Sequence, residues 1–492
     1  MTITTTLAGW ASTLRLADVP DRVVDCARTQ ILSQVGSIRA GLRHPSGRRL
    51  TAAFGMPLES DARAGSYVLA ALSIGLDYDD TAFAGHLSHS TVNVPLAYAL
   101  HMGLTGEELL IAVVAANECA ARITAAATIG PFRGQSAAHT HLVGAVAGRL
   151  RAEKAPASMW VSAWGLALAL PLWPLDRGFY GSDAKFLVAA APVRLGLDAC
   201  DAAQHGLLGA DDIVEHPLGF LPRFADVPLP ELAVDGLGQR WHTETFSYKV
   251  HPGSAYMGGA IAAAADLHPE LAGLDVGEIA EVLVEGSLFT VGLDRLGGTF
   301  AAGPDAPLSA LNFSLGYSTA TALLTGDLTP ADFAEPGLRD PARWELAGKV
   351  RVQHDAAYSR AAMFATAPLG AALRQAGDRA ESWVRRHAGP DGAQMLSRLG
   401  GPAATFENST KRMGARVTVR FTDGRELVSS RDAAPGSVGS GSADERHQLV
   451  RAKFDATGGN PWAADSIDKL ETLSATELDA VLRSALDAGP GV

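Results

Sequence analysis

Titratable side chains are concentrated in one short stretch of the chain, residues 77–91. This stretch lies between two strongly apolar segments, 67–76 and 92–102, which are expected to form buried helices. Polar groups anchored in this way are held at the edge of a core, where carboxylates and imidazoles are suited to moving protons. The ionisable members of the stretch are Asp77, Asp79, Asp80, His86 and His89.

Three further segments place single polar groups in apolar, glycine-rich surroundings. The groups of interest in them are Arg133, His139, His141, Lys185, Lys249 and Ser254. Two lysines and several histidines in such surroundings suit small carboxylate anions. Each residue alone also has a structural interpretation, because a lysine often ends a solvated helix and a histidine is often hydrogen-bonded within the fold.

The sequence shows no metal or nucleotide motif. There is no HExxH, no GxxxxGK[ST], and no GxGxxG after a predicted strand. His86 and His89 are three residues apart, but they lack a convincing third ligand nearby in the sequence. His139 and His141 are two residues apart and would point to different sides of a helix. We therefore expect no metal and no cofactor.

The composition indicates a globular protein with more than one domain. Its 492 residues exceed what one hydrophobic core normally organises, and 47% of them are hydrophobic against 19% charged. The formal net charge of -12 argues against nucleic acid or an anionic membrane as a partner, since both need a basic surface. An acidic ligand would have to meet a local cluster of positive groups.

Cysteine usage and the N-terminus both favour the cytoplasm. Cys26, Cys119 and Cys200 are widely spaced and form no CxxC, which is typical of buried thiols in a reducing compartment. The first residues do not have the basic and then apolar pattern of a signal peptide. Prolines cut the uncharged stretch 155–175 to about fourteen helical residues, fewer than the ~20 that span a bilayer, so a buried helix is predicted there.

The first half of the chain has a helical pattern. Apolar segments between residues 4 and 221 are separated by short Gly, Pro or Asp punctuation. Helices are expected to begin at Asp21, after the capping residue Thr105, and at 209–212. The pattern therefore predicts that this half is all-α.

The pattern changes after a Pro- and Gly-rich stretch at 221–245. Strands are predicted at 279–286, 350–352 and 415–421, with helices between them, and the last strand ends in an Asp423-Gly424 turn. Beyond a flexible stretch of small residues, the pattern is helical again. The predicted fold is mainly α with an α+β second domain: an all-α domain formed by residues 1–245 and 435–492, with an inserted α+β lid at 246–434.

Taken in order, these segments resemble the MmgE/PrpD family, which includes 2-methylcitrate dehydratase, cis-aconitate decarboxylase and iminodisuccinate epimerase. No single motif is specific, but the set follows the family's order along nearly the whole chain. The matching elements are Asp77-Tyr78-Asp79-Asp80-Thr81 followed by His89, the segment from His139 into a Gly/Ala helix, Gly181-Ser182-Asp183-Ala184-Lys185, Lys249 with Pro252, and Phe313-Ser314 with Tyr317.

The resemblance implies a helical domain with an α+β lid, a homodimer, and a metal-free site in the cleft between the domains. It also implies dehydration, decarboxylation or epimerisation next to a carboxylate of a small di- or tricarboxylic acid. The catalytic residues carried over are Asp77, His86 or His89, His139, Lys185 and Tyr317. Thr81, Arg133, His141, Lys249 and Ser254 are the expected substrate-binding residues.

The chain departs from the family pattern in three places. The spacing after Thr81 is longer than in decarboxylase-like members, so His86 competes with His89 for the acid–base role. Thr140 directly follows His139, and His141 stands where a threonine is expected. After Lys249 the chain has small residues where the family often has Cys or His, which favours a different acid from the tricarboxylates. Asp79 and Asp80 are interpreted as structural.

Two other functions remain open from the sequence. Because the residues after Lys249 depart from the family pattern, the protein could bind a carboxylate on the same scaffold without catalysing a reaction. A metal-dependent hydratase would use His86, His89, His139 and His141.

Overall fold

The structure is a computed structural model that describes residues 1–59, 61–82, 85–130, 138–367 and 369–489. Its first half is helical, as the sequence predicted. The helices there are α1 (Ile3–Thr13), α2 (Asp21–Arg43), α3 (Pro45–Phe54), α4 (Ala62–Gly75), α5 (Ser88–Thr91), α6 (Asn93–Met102), α7 (Gly106–Ala126), α8 (Ala138–Ala152), α9 (Ala157–Leu168), α10 (Asp176–Gly181), α11 (Lys185–Gln204), α12 (Phe220–Phe224) and α13 (Pro230–Val234).

Two of the three expected helix starts are confirmed. Helix α2 begins at Asp21, and a capping box of Thr105 and Glu108 starts α7. The helix predicted at 209–212 is wrong, because that segment forms turns. Gly209 there packs backbone to backbone against α9, and a Cβ on it would lie 2.3 Å from the carbonyl oxygen of Ser162.

Helix α7 forms the centre of the helical region. It is long and apolar enough to cross a membrane, but within the described residues it is buried along its whole apolar window. Its neighbours include α8, α2 and α13. This is how the core helix of a soluble protein is placed. The uncharged stretch 155–175 contributes only the short helix α9.

Two very short strands join distant parts of the chain. Strand β1 (Asp80–Thr81) pairs antiparallel with β2 (Ser247–Tyr248). The sequence did not predict either strand, because two residues are too few for an alternating pattern.

The larger sheet lies in the part of the chain that the sequence predicted to form the lid. It consists of β3 (Ile279–Gly286), β4 (Val350–His354), β5 (Ala415–Phe421) and β6 (Glu426–Arg431), in the order β4-β3-β5-β6. Strands β3 and β4 are parallel and the other pairs are antiparallel. The three predicted strands are confirmed, and β6 is an additional edge strand beyond the Asp423-Gly424 turn. The helices of this half are α14 (Gly258–Leu271), α15 (Leu288–Gly298), α16 (Leu308–Leu311), α17 (Leu315–Thr325), α18 (Pro341–Lys349), α19 (Ala356–Phe364), α20 (Gly370–Ala376) and α21 (Glu381–Met395).

The last part of the chain packs against the first. Helices α22 (Ala443–Ala456), α23 (Pro461–Ile467) and α24 (Ala475–Leu486) all contact α2. Lys453 of α22 is buried, and its ammonium donates to the carbonyl oxygen of Tyr78. The fold is therefore mainly α with an α+β portion.

Candidate active site

Asp77 is the centre of a buried ionic cluster. Its carboxylate accepts a hydrogen bond from Lys185 Nζ at 2.8 Å and another from Lys249 Nζ, which also donates to the Asp77 carbonyl oxygen at 3.0 Å. The backbone of Asp77 has a φ of 52°, a left-handed conformation that among the described non-glycine residues only Lys154 shares. Such a conformation is unusual for a residue with a side chain, and it turns the chain sharply at the end of α4.

Asp79 lies next to Asp77 and contacts both histidines of the segment. One of its carboxylate oxygens accepts a hydrogen bond from His86 Nδ1 at 2.9 Å and lies 3.1 Å from His89 Nε2. The other lies 3.3 Å from Lys249 Nζ. Asp79 is thus a member of the cluster, and interpreting it as structural alone missed this.

Asp80 has the structural role that the sequence indicated. Its carboxylate accepts hydrogen bonds from the backbone N–H groups of Leu87 and Ser88 at 3.1 and 3.3 Å, and from the Gln30 amide at 2.9 Å. These bonds fix the start of α5, the helix that carries His89.

The pairing of β1 with β2 brings Lys249 to the carboxylates. Thr81 pairs with Ser247, Asp80 pairs with Tyr248, and the next residue, Lys249, donates its backbone N–H to the carbonyl oxygen of Asp79 at 2.9 Å. The two segments are about 170 residues apart in the chain, as the 172-residue separation of Lys249 and Asp77 shows. The strand register therefore decides which side chains meet here.

Close helix packing brings Lys185 to the same place. Lys185 is the first residue of α11, which packs along α4. Gly75 allows this approach, because a Cβ there would lie 2.3 Å from the ring of Phe186. The Lys185 ammonium is buried and lies 4.8 Å from the ring centroid of Phe313.

The charges of the cluster stabilise one another. Burial alone would raise the pKa of Asp77, but Lys185 and Lys249 outweigh it and hold that pKa well below its usual range. Burial alone would lower the pKa of Lys249, but Asp77 and Asp79 outweigh it and raise that pKa. Both groups are therefore charged near neutral pH.

A cavity of about 380 Å³ opens beside the cluster. Of the two histidines in the segment, only His86 faces this cavity. His86 lines the cavity and its side chain is 17% exposed, whereas the His89 side chain is fully buried and does not line it. Burial lowers the pKa of His89 to about 3, so this imidazole is neutral. Ser73 Oγ lies 2.8 Å from its Nδ1. His89 contacts the Asp79 carboxylate from within the core, not from the cavity.

The other predicted residues divide between the cavity and the core. Thr81, His139, Lys249 and Ser254 line the cavity. His141 lies behind His89, with ring centroids 5.4 Å apart, and does not line it. Arg133 lies outside the described residues.

The structure does not bring Tyr317, for which the sequence predicted a catalytic role, to the cluster or the cavity. Its hydroxyl donates to the carbonyl oxygen of Asp332, and its ring packs 4.9 Å from the ring of Trp344. Ser314 caps α17 at the Tyr317 N–H, and the helix then turns this side chain into the lid core.

Lys411 is a residue of the site that the sequence did not indicate. Its ammonium lies 3.4 Å from Thr81 Oγ1 and 5.7 Å from the ring centroid of Tyr256. It lines a small neighbouring cavity that shares Thr81, Lys249 and Ser254 with the large one. Burial lowers the pKa of Lys411 to about 7. Nothing in the local sequence distinguishes it from a solvated lysine.

A metal ion could be held by Asp79, His86 and His89. Their ligand atoms lie within 4.8 Å of one another. Asp79 is thus the third ligand that the sequence analysis did not find. The ammonium of Lys249, 3.3 Å from Asp79, would repel a cation bound there.

Comparison with known families assigns the chain to one of them. The model of the MmgE/PrpD N-terminal domain matches residues 5–232, and that of the MmgE/PrpD C-terminal domain matches residues 251–398. No curated protein matches the chain. Members of the family are typically lyases, such as 2-methylcitrate dehydratase, and generally act on carboxylic acids. The N-terminal match contains Asp77, Asp79 and Lys185, and Lys249 lies between the two matched ranges. Since the two matches together span most of the chain, the chain belongs to the MmgE/PrpD family.

Proposed function

We propose that this protein is a metal-independent lyase or isomerase that acts at the carbon next to a carboxylate of an organic acid. The observation that supports it is the cluster itself, in which Lys249, Asp77 and Asp79 surround an imidazole that faces the cavity. The reaction class is dehydration, decarboxylation or epimerisation, and the active site is the cavity between the helical region and the lid.

Lys411 and Lys249 are the proposed carboxylate-binding groups. Asp77 and Asp79 are balanced by Lys185 and Lys249, so the cluster without Lys411 has no net positive charge to offer. Within the described part of the chain Lys411 forms no ion pair, and it is the cation that an incoming carboxylate would neutralise. Thr81 and Ser254 supply neutral hydrogen-bond donors at the same place.

His86 is the proposed base. In the tautomer whose proton is on Nδ1, this N–H donates a hydrogen bond to Asp79 at 2.9 Å. Nε2 then carries a lone pair on the side of Asp77 and the cavity. Nε2 takes the proton from the α-carbon, and the electron pair moves into the carboxylate as an enediolate that the lysines stabilise. The imidazolium then gives its proton to a departing β-hydroxyl, which leaves as water, or returns it to carbon. In a decarboxylation no α-proton is removed: the bond to one carboxylate carbon breaks, CO₂ leaves, and protonated His86 gives its proton to the carbon that keeps the electron pair.

The direct test is incubation with cis-aconitate, 2-methylcitrate and iminodisuccinate in D₂O, with products followed by NMR. Turnover of any one of them, or exchange of its α-proton, supports the proposal. If calorimetry shows that an acid binds, but NMR shows neither turnover nor exchange of its α-proton, the protein is instead a binding protein on the same scaffold.

A metal-dependent hydratase is the second candidate, because Asp79, His86 and His89 form a possible ligand set. Elemental analysis of the purified protein separates the two functions. A stoichiometric metal that is lost together with activity on chelation, and restored with it, would favour the hydratase. Full activity after chelation favours the metal-independent reaction.

A further inference from the structure

The cavity continues well beyond the polar cluster. Tyr256 stacks on Phe289 with ring centroids 5.4 Å apart, and past this pair the walls are formed by helices α15, α19, α20 and α21 of the lid. We call this part of the cavity the apolar arm. Its walls are formed by Leu293, Leu296, Met363, Leu373, Trp383 and Val384.

Two leucines that line the cavity from α15 are partly exposed. Leu288 is 38% exposed and Leu296 is 44% exposed. Apolar side chains left in contact with water lose the favourable free energy of burial, so open leucines inside a cavity are suited to an apolar ligand. Such a ligand would cover them.

A small polar acid would leave the arm empty. The cavity volume of about 380 Å³ lies in the range of pockets for drug-sized ligands, ~300–1,000 Å³. Lys249 is the only lysine or arginine among the described lining residues, and it lies at the polar end. A second or third carboxylate in the arm would therefore meet no lysine or arginine among the described lining residues, and it would lose its hydration.

We propose that the substrate is a carboxylic acid with an apolar alkyl or aryl substituent. The acid end lies at Lys249, Lys411 and His86, and the hydrocarbon lies in the apolar arm. The inference rests on the proposed function, because it assumes that the polar cluster binds the reacting carboxylate.

Calorimetry with 2-methylsuccinate, 2-butylsuccinate and 2-octylsuccinate tests it. These acids share one head group and differ only in the length of the hydrocarbon. Affinity should rise by about fourfold for each added methylene until the arm is filled. Equal affinities for all three acids would refute the proposal that the substrate carries an apolar substituent, and they would leave the proposed function in place. If none of the three binds at millimolar concentration, the proposed function fails with it.

A substitution at Gly292 shows whether the hydrocarbon lies in the arm. Gly292 lines the cavity in the middle of α15, and a Cβ there would meet no atom within 4 Å. Gly292→Leu should therefore fill the arm, abolish the gain from the octyl chain and keep the affinity for 2-methylsuccinate.

The matched control is Gly9→Leu. Gly9 also lies inside an 11-residue helix, α1, and also has no atom within 4 Å of a built Cβ. This variant should keep the octyl gain. If the octyl gain persists in Gly292→Leu, the chain binds elsewhere on the protein and the inference is wrong.

Discussion

The two ends of the cavity are built in opposite ways. At the polar end Asp77, Asp79, Lys185 and Lys249 bond to one another, so each side chain is fixed by charged neighbours. At the apolar end the leucines of α15 remain partly exposed and no charged pair fixes them. The difference indicates that the polar end is preorganised for a proton transfer, while the apolar end distinguishes between acids by shape and length.

The largest expected difference between the two ends is the loss of turnover when a histidine at each end is replaced. His86→Gln should reduce turnover, or α-proton exchange measured by NMR in D₂O, by about 10²–10⁴-fold, because it removes the proposed base. His387→Gln is the matched control, since His387 lines the same cavity among apolar-arm residues. It should change the rate by less than about tenfold. Equal losses in the two variants would refute the division between a reactive end and an apolar end.

Asp77→Asn tests how far the polar end depends on its charges. The substitution leaves Lys185 and Lys249 without their shared carboxylate, and breaking a buried pair in this way costs about 3–5 kcal/mol. The free energy of unfolding, from denaturant titration, should fall by that amount.

The control for Asp77→Asn is Asp25→Asn. Asp25 pairs with Arg28 at 2.7 Å but is 61% exposed, so its loss should cost about 1 kcal/mol or less. Similar losses in the free energy of unfolding for both variants would mean that the buried cluster contributes no more to stability than an exposed ion pair.

The pH dependence of carboxylate binding should depend on Lys411. The pKa of this lysine in the free protein is about 7, and only its charged form attracts an anion. Affinity for 2-methylsuccinate, measured by calorimetry, should therefore fall by up to about tenfold per pH unit above pH 7, and binding should take up a proton. In Lys411→Met both effects should disappear.

Lys453→Met is the control for that experiment. Burial also lowers the pKa of Lys453 to about 7, but its ammonium faces the carbonyl oxygen of Tyr78, and Lys453 lines neither the large cavity nor the small one that Lys411 lines. The pH dependence should survive in this variant. Its loss would show that the proton taken up does not belong to Lys411.

The smallest expected effect lies at the apolar end. Leu293→Ala should weaken the binding of 2-octylsuccinate by about tenfold or less and leave 2-methylsuccinate unchanged, because it removes part of one apolar wall. Leu449→Ala, at an exposed leucine of α22, is the control and should change neither affinity. An equal effect on the two acids would show that the substituent does not reach the arm.

Much of the polar end could be predicted from the sequence. Asp77, Thr81, His139, Lys185 and Lys249 were each identified from short motifs, and all but Lys185 line the cavity. Such motifs are readable because several constrained residues lie close together in the chain.

The missed residues have no such signal. Lys411 is one lysine in an unremarkable loop, and its distance in the chain from Thr81 is 330 residues. Tyr317 is the opposite case: it lies in a matching motif, but its helix directs its side chain against Trp344 and away from the cavity. The role of Asp79 depends on which imidazoles surround it.

By itself, the sequence determined the mainly helical fold with an α+β portion, the positions of three of the four lid strands, and the segments that carry the ionic cluster. These follow from periodicity, capping and turn residues, which act between near neighbours in the chain. Only the tertiary structure decided that His86 rather than His89 faces the cavity, that Lys411 lies beside it in a small neighbouring cavity, and that the large cavity continues into an apolar arm. Leucines that line a cavity have the same sequence pattern as leucines that fill a core, because a cavity is the space that packing leaves unfilled.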